Sequence, residues 1–433
     1  MGRRDLLPED LRRRAGIAQT NGHAVVSQDP PWPKLDDKAL HGLAGEIVWT
    51  VLPHTEADKV ALLASGLVAY GNVIGRGAHM LIGADKHHLN LNIGLVGPTS
   101  KGRKGMSWNL THGLIHAADP SWADDRVMGG LSSGEGLIYA VRDRLVGEDA
   151  EGNSKVLDPG VEDKRLMVVE GEFAGPLRTM TREGNTLSVL IRQAWDGGKL
   201  ATLTKNSPLK ATDAHISIIA HTTKIELLRQ LSETDTQNGF ANRFLWLLVR
   251  RSKKLPFGGG WSTVDVAPLI RKITPAVEYG RKHREVVWGE SARELWKEVY
   301  GDLSEGEPGL FGATTSRAEA QTVRLAALYA TLDCSPTIEK PHLEAALALW
   351  DYAEASALLI FGNATGDTVA DRIVAALKVE PDGLTRTDLY HLFSRHKSRT
   401  RIDLALALLE RLGRVRRERV ETDGRPAERW FLR

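Results

Sequence analysis

The chain has 433 residues, of which 42% are hydrophobic and 26% charged, and its formal net charge is +2. This length and composition allow about three domains with substantial cores. The single cysteine, Cys334, excludes an intramolecular disulfide and a metal site made from several cysteines. No apolar run reaches the ~18 residues of a membrane span, and the first residues lack the apolar core of a secretory signal. We therefore expect a cytoplasmic protein without a membrane partner.

The first half of the chain predicts an arm, a helical segment and an α/β core. Residues 1–40 are polar and proline-containing, which is typical of an irregular arm, and residues 41–88 begin with helical spacing. Residues 89–252 alternate strand-like and helical patterns, which predicts a parallel sheet with helices on its faces. Within this core, residues 147–163 read as a polar loop. The strand candidates are 91–96, 125–128, 166–170, 216–220 and 243–249.

The second half predicts a helical lid over residues 263–362 and a small basic domain over residues 367–433. Residues 394–433 carry a net charge of +6. Three helices followed by a hairpin have the layout of a winged helix, which presents a helix and a wing to duplex DNA. The expected DNA contacts are Arg399, Arg401, Arg416, Arg417 and Arg425. A winged helix that binds protein, or a solvated arginine-rich surface, would give the same pattern.

A glycine-rich segment, GPTSKGRKGMS, follows the first core strand at residues 97–107. A strand, a glycine-rich turn and a helix N-terminus with a lysine form a phosphate-binding loop. The candidate nucleotide-binding residues are Gly97, Thr99, Ser100, Lys101, Gly102, Arg103, Lys104, Gly105, Met106 and Ser107. The spacing departs from the usual pattern, because Arg103 stands where the lysine belongs. The next hydroxyl is that of Ser107, which is therefore the candidate Mg²⁺ ligand in this segment. A glycine-rich turn with solvated basic residues is the alternative.

Two further strands end in polar residues. RLMVVEGE at residues 165–172 places Glu170 where it could hold Mg²⁺ and Glu172 where it could orient the attacking water. HISIIAHTT at residues 215–223 ends in His221 and Thr222, either of which could sense the γ-phosphate. A solvated acidic turn and a helix cap are the respective alternatives.

Four basic residues complete the candidate site. Lys205 lies in a predicted hairpin over residues 199–214 and could contact a nucleic-acid backbone, the alternative being a surface hairpin without a function. Arg243 precedes the last core strand and could reach a neighbour's nucleotide, and Arg317 or Arg324 could fold back from the lid onto the phosphates. Structural salt bridges are the alternative for each arginine.

Together, GPTSKGRKG, VVEGEFAGPL, HISIIAHTT, NGFANRFLW and RAEAQTVRLAALYA resemble segments of the P-loop ATPases found in phage, plasmid and integrated-element replication proteins. The resemblance covers roughly residues 45–360 and extends to the AAA+ and superfamily-3 helicase plan. It implies an α/β P-loop core with a helical lid and a winged helix. It also implies ATP, Mg²⁺ and a ring assembly, for which we expect a hexamer.

The resemblance assigns the lysine role to Lys104, the acidic roles to Glu170 and Glu172, the sensor role to His221 or Thr222 and the finger role to Arg243. The expected function is an ATP-dependent DNA-translocating motor, a replicative helicase of a mobile element, with single-stranded DNA in a central channel and duplex at the winged helix. A replication initiator that uses ATP as a switch without unwinding DNA is the main alternative, and a non-enzymatic DNA-binding protein is another.

Overall fold

The structure is a computed structural model that describes residues 31–202, 209–231, 235–236, 238–282, 284–307, 309–362, 365, 367–393, 398–420 and 427–433. The α-helices are α1 Gly42–Val51, α2 Lys59–Val73, α3 Lys104–Ala118, α4 Pro120–Asp125, α5 Gly134–Tyr139, α6 Ala174–Met180, α7 Leu187–Trp195, α8 Lys224–Gln230, α9 Ala267–Arg281, α10 Glu290–Ser304, α11 Gly309–Thr315, α12 Ala318–Leu332, α13 Lys340–Phe361, α14 Thr368–Val379, α15 Arg386–Leu392 and α16 Arg399–Arg411. The first thirty residues of the predicted arm lie outside the described residues.

The strands, in chain order, are β1 Ala78–Ile82, β2 Asp85–His88, β3 Asn92–Val96, β4 Val127–Met128, β5 Leu145–Glu148, β6 Ser154–Asp158, β7 Arg165–Glu170, β8 Leu200–Ala201, β9 Lys210–Ala211, β10 His215–Thr222, β11 Leu245–Leu248, β12 Arg284–Glu285, β13 Val287–Trp288, β14 Thr337–Ile338, β15 Leu384–Thr385, β16 Val415–Val420 and β17 Ala427–Leu432.

A five-stranded, all-parallel sheet forms the centre of the molecule, in the order β11-β3-β10-β7-β4. All five predicted core strands are confirmed, with ends shifted by up to two residues. Most residues of β3, β7, β10 and β11 are buried because a parallel sheet is covered on both faces. Alternate residues of β10 enter different cores: Ile219 packs with α2 and α3, whereas Ile218 and Ala220 pack with α5, α6 and α7.

The predicted N-terminal segment and lid share one core with the sheet. Side chains of α1, α2, α3, α9 and α12 and the first half of α13 form a single apolar cluster against one sheet face. α12 is nearly all buried, so apolar residues occur all around it together with the buried Gln321, Thr322 and Arg324. The domain boundaries drawn at residues 88 and 263 therefore do not separate independent cores.

Two predictions about local structure were wrong in part. Residues 145–158 contain an antiparallel hairpin of β5 and β6, in which Val146 faces Val156, rather than only a polar loop. Its turn is closed by Asp149, whose Oδ1 accepts from the backbone N–H groups of Glu151 and Asn153 at 3.1 and 2.8 Å. The helical region also contains short strands, since β12 pairs with β1 and β13 with β14.

Residues 367–433 have their own apolar core. Its side chains come from α14, α15, α16 and the strands β16 and β17, with Trp430 2% exposed. The three strands form an antiparallel sheet in the order β15-β17-β16. The elements thus follow one another as helix, strand, two helices and a hairpin.

Among the helices of the described residues, none combines the length and the apolar character that crossing a bilayer requires.

Candidate nucleotide site

The glycine-rich segment lies at the carboxyl end of β3, at the edge of the sheet where open α/β sheets bind ligands. It leaves the strand at Gly97, whose N–H donates to the Thr222 carbonyl at 3.2 Å. A Cβ atom at Gly97 would stand 2.3 Å from the carbonyl oxygen of Val249, so only glycine permits this close approach. The loop then makes one 3₁₀ turn over Ser100–Gly102 and enters α3.

Lys104 is the first residue of α3, and its side chain arches back over the loop. Its Nζ donates to the carbonyl oxygens of Gly97 and Pro98 at 3.1 and 2.7 Å. Burial lowers the pKa of this ammonium, while the Glu226 carboxylate raises it. Among the described residues, the hydrogen-bond partners of this ammonium are these two loop carbonyls.

The loop has one residue more than the usual pattern before Lys104, and the backbone turn at Arg103 accommodates it. It is in the left-handed region at φ 53° and ψ 27°, a conformation that costs a non-glycine residue about 1–2 kcal/mol. Its Nε donates to Glu56 Oε2 at 2.7 Å, on the α1–α2 connection. The turn at Arg103 gives Lys104, and not Arg103, the place over the loop.

The hydroxyl of Ser107 is not presented to the loop. Ser107 is fully buried, and its Oγ donates to the Lys104 carbonyl within the same helix at 2.6 Å. The prediction that Ser107 binds Mg²⁺ is therefore not supported by its position. The residue after Lys104 is Gly105, which is exposed and would have open space around a Cβ.

The remaining residues of the loop differ in their exposure. Thr99 and Lys101 are exposed, and the Thr99 carbonyl accepts from the N–H of Gly102 at 2.8 Å. Met106 is half-buried and packs against the core.

The two predicted acids lie at the same edge of the sheet. Glu170 ends β7, is 7% exposed, and its Oε1 accepts from the backbone N–H of Leu131 at 2.5 Å. Glu172 is exposed, two residues further along, just before α6. In the register of the sheet, Ala220 pairs with Gly94 on one side and Glu170 on the other, so β10 separates the acids from the loop.

His221 occupies that intervening strand and is 5% exposed. Within the described residues its Nε2 is buried without a hydrogen-bond partner. Burial, and secondarily the Lys104 cation, lowers the pKa of His221 to about 4, so the imidazole is neutral at pH 7. A buried, neutral nitrogen near Lys104 has unused hydrogen-bonding capacity at this edge.

Sequence reasoning missed Glu226. Thr223 and Glu226 form a capping box at the start of α8, immediately after β10, and Glu226 is exposed. The Thr-x-x-Glu pattern after a polar strand end is the signal that could have identified it.

The three predicted arginines lie at the opposite, amino-terminal edge of the sheet, around Trp195. Arg324 is buried and donates to the carbonyl oxygens of Asn90 and Trp195 at 2.8 and 2.9 Å. Asn90 precedes β3, whereas the loop follows it, and five strand residues span about 16 Å. The prediction that Arg317 or Arg324 folds back onto the phosphates of the same chain was therefore wrong.

Arg243 and Arg317 differ in how firmly they are held. Arg243 is 6% exposed, pairs with Asp196 at 2.6 Å and donates to the Gly239 carbonyl at 2.5 Å. Arg317 is held more loosely, because its guanidinium lies 3.7 Å from Asp196 and 35% of its side chain is exposed. It lies in a cleft with Asn242, Trp288 and Tyr300. Of the two, Arg317 has the more accessible guanidinium.

The predicted DNA-contact residues are largely paired with acids. Arg401 pairs with Asp367 at 2.8 Å, Arg416 with Glu418, and Arg417 with Glu428 at 3.2 Å. Arg399 is exposed at the start of α16. Lys205 and Arg425 lie outside the described residues, although the arms of the predicted Lys205 hairpin pair as β8 and β9.

Known protein families and curated proteins offer no match to this chain.

Proposed function

We propose that the chain binds ATP with Mg²⁺ at the carboxyl edge of the sheet and hydrolyses it as a DNA-translocating motor of the mobile-element replication type. The observation that carries this proposal is the position of Lys104 over the loop that leaves β3, beside the Nε2 atom of His221, which has no hydrogen-bond partner among the described residues. Backbone N–H groups, a helix N-terminus and a lysine together suit a polyphosphate.

The donor set fits the remaining parts of such a site. Glu170 offers the carboxylate that Mg²⁺ prefers, and the ion would neutralise charge on the phosphates. Glu172, exposed two residues further on, would orient the attacking water. His221, neutral at pH 7, would hydrogen-bond the γ-phosphate or that water. Catalysis would then consist mainly of positioning and charge stabilisation.

A ring assembly belongs to the proposal because an arginine at the amino edge cannot reach the loop of its own chain. Head-to-tail contact between copies would bring that edge to a neighbour's nucleotide, and a closing rotation makes a ring, for which six subunits are our expectation. The finger role was expected of Arg243. Its burial and its pair with Asp196 make Arg317 the better candidate.

DNA is the proposed partner at two places. The hairpin of β8 and β9 would contact single-stranded DNA in a central channel. The helix, strand, two helices and hairpin of residues 367–433 support a winged helix that would contact duplex. The extensive pairing of its arginines favours the second candidate function, an ATP-switched initiator or regulator, in which this region docks on protein or DNA without unwinding.

The test of the function is ATP hydrolysis by the full chain with and without DNA, followed by strand displacement on a forked substrate. We expect hydrolysis that DNA stimulates and that separates the strands. Stimulated hydrolysis without displacement would select the initiator, and absence of any hydrolysis would contradict both.

The role of the C-terminal region can be tested by deleting residues 367–433, which have a core of their own. We expect basal hydrolysis to continue and duplex binding to weaken. The log–log salt slope of binding should fall by about 0.9 for each DNA phosphate that the shortened chain no longer neutralises. An unchanged duplex slope would mean that the region binds protein.

A further inference from the structure

The loop that carries Lys104 is tied to a buried carboxylate that the sequence did not single out. Glu56, on the connection between α1 and α2, is 4% exposed. Its Oε2 accepts from Arg103 Nε at 2.7 Å, and its Oε1 accepts from the backbone N–H of Leu255 at 2.6 Å and from the Arg251 guanidinium. Three segments that are distant in sequence therefore meet at one side chain.

The residue that Glu56 binds in the loop is the one with an unfavourable backbone. Arg103 is one of only three non-glycine residues with positive φ within the described chain. Such conformations persist where surrounding contacts hold them, and they concentrate at functional sites. Glu56 supplies that contact from outside the loop, while hydrogen bonds from Arg251, from the Leu255 backbone and from Arg103 together lower the pKa of Glu56 to about 2.

The backbone turn at Arg103 decides which cation lies over the loop. With Arg103 turned towards Glu56, Lys104 begins α3 and reaches the carbonyls of Gly97 and Pro98. Arg103 stands at the sequence position where the usual pattern has its lysine. The turn directs the Arg103 side chain away from the loop and towards Glu56.

We propose that Glu56 is a positioning residue of the nucleotide site, which holds Arg103 in the left-handed conformation and thereby sets Lys104 as the phosphate-binding cation. This inference rests on the proposed function. In this proposal Glu56 acts on the nucleotide site through Arg103.

The proposal has a structural rival, in which Glu56 only fastens the segment 251–255 that leads from the sheet to α9. The two accounts differ in their predictions for Arg103 and Arg251. Glycine adopts positive φ without the steric cost, so Arg103→Gly should make the restraint from Glu56 unnecessary. Arg251→Ala removes the other arginine of Glu56 and leaves the loop contact in place.

The experiment measures equilibrium binding of a fluorescent ATP analogue with Mg²⁺ by the full chain and four variants. We expect Glu56→Ala to weaken binding by about five- to thirtyfold, the factor that corresponds to a left-handed residue no longer held. Glu56→Ala/Arg103→Gly should recover to within about threefold of the unmodified chain, and Arg251→Ala should remain near it. Glu56→Gln keeps the shape and the Leu255 contact, and should fall between Glu56→Ala and the unmodified chain.

Two results of the binding experiment would overturn the proposal. One is a double variant that binds no better than Glu56→Ala, and the other is an Arg251→Ala variant as weak as Glu56→Ala.

A second readout needs no nucleotide. Hydrogen exchange of the amides in residues 97–106, where Gly102 N–H bonds to Thr99 and Met106 N–H to Arg103, should accelerate in Glu56→Ala and not in Arg251→Ala. Unchanged exchange in Glu56→Ala would also refute the positioning role. If the unmodified chain binds no nucleotide, the proposed function fails, whereas this exchange measurement still decides the role of Glu56.

Discussion

The two edges of the central sheet carry similar residue types in opposite conditions. At the carboxyl edge, Lys104 is held by loop carbonyls only, and the Nε2 atom of His221 is buried without a partner in the described part of the chain. At the amino edge, Arg243 and Arg324 are buried, and their terminal guanidinium nitrogens donate to carbonyls or to Asp196, although the Nε atoms of both have no partner among the described residues. Charge with exchangeable partners indicates a ligand site, whereas charge with fixed partners indicates structure.

We expect the largest effect on ATP hydrolysis from a substitution of Lys104. Replacing Lys104 by Ala removes the point charge proposed to lie at the β- and γ-phosphates, so we expect ATP hydrolysis to fall by at least about a hundredfold. Arg103→Ala should cost less, because the Arg103 side chain points to Glu56. Steady-state hydrolysis is the measurement, with Lys272→Ala, an exposed lysine on α9, as control. Loss of activity in Arg103→Ala with activity retained in Lys104→Ala would shift the loop register by one residue.

A second prediction concerns the acids of the carboxyl edge. Glu172→Gln should preserve ATP binding and lower turnover by about a hundredfold or more, because the water-orienting base is lost while the Glu170 carboxylate remains. Binding and single-turnover hydrolysis are compared in the same preparation. Normal turnover in this variant would remove Glu172 from the site.

At the amino edge, replacing Arg243 and replacing Arg317 should lower stability by different amounts. Arg243→Ala leaves Asp196 without its close partner, and we expect the free energy of unfolding to fall by about 2–3 kcal/mol, near the lower part of the range for buried pairs because Asp196 is partly exposed. Arg317→Ala should cost less than about 1 kcal/mol, since its pair is long and half-exposed. Urea denaturation checks both. Equal losses would contradict the distinction drawn between these two arginines.

We expect the smallest effect from the titration of His221, which makes stability depend on pH. Its folded pKa of about 4 lies below the ordinary value near 6.5, so the unfolded state binds more protons between those values. The contribution of His221 to stability is therefore intact above pH 6.5 and decreases as the pH falls towards 4. Phosphates bound nearby would favour the charged form and raise this pKa. An NMR titration of the imidazole with and without nucleotide checks it, and a pKa that nucleotide does not move would exclude contact.

The sequence allowed the core strands to be predicted because buried parallel strands are rich in apolar residues, as in the run of 245–248. The order of the strands and the sharing of one core by α1, α2, α12 and the sheet could not be read from local patterns. The β5–β6 hairpin was missed because the residues around its turn are polar, and the one valine pair that faces across it, Val146 with Val156, is too short a pattern to indicate two strands.

Some residues of the candidate site could likewise be predicted from the sequence, and others could not. Lys104, Glu170, Glu172 and His221 come together because residues that end parallel strands must meet at one edge. The spacing of Arg317 and Arg324 indicated a shared helix but not which edge of the sheet that helix approaches. Glu56 carries no local signal at all, because its partners Arg103, Arg251 and Leu255 lie 47 or more residues away.

The central claim is that the carboxyl edge, and not the arginine-rich amino edge, binds ATP. Equilibrium titration of a fluorescent ATP analogue with Mg²⁺ tests it most directly, in the unmodified chain, Lys104→Ala and Arg317→Ala, at concentrations where sedimentation shows single chains. We expect saturable binding by the unmodified chain, a loss of at least about tenfold in affinity in Lys104→Ala, and unchanged affinity in Arg317→Ala. Absence of saturable binding by the unmodified chain, or an equal loss in both variants, would contradict the claim.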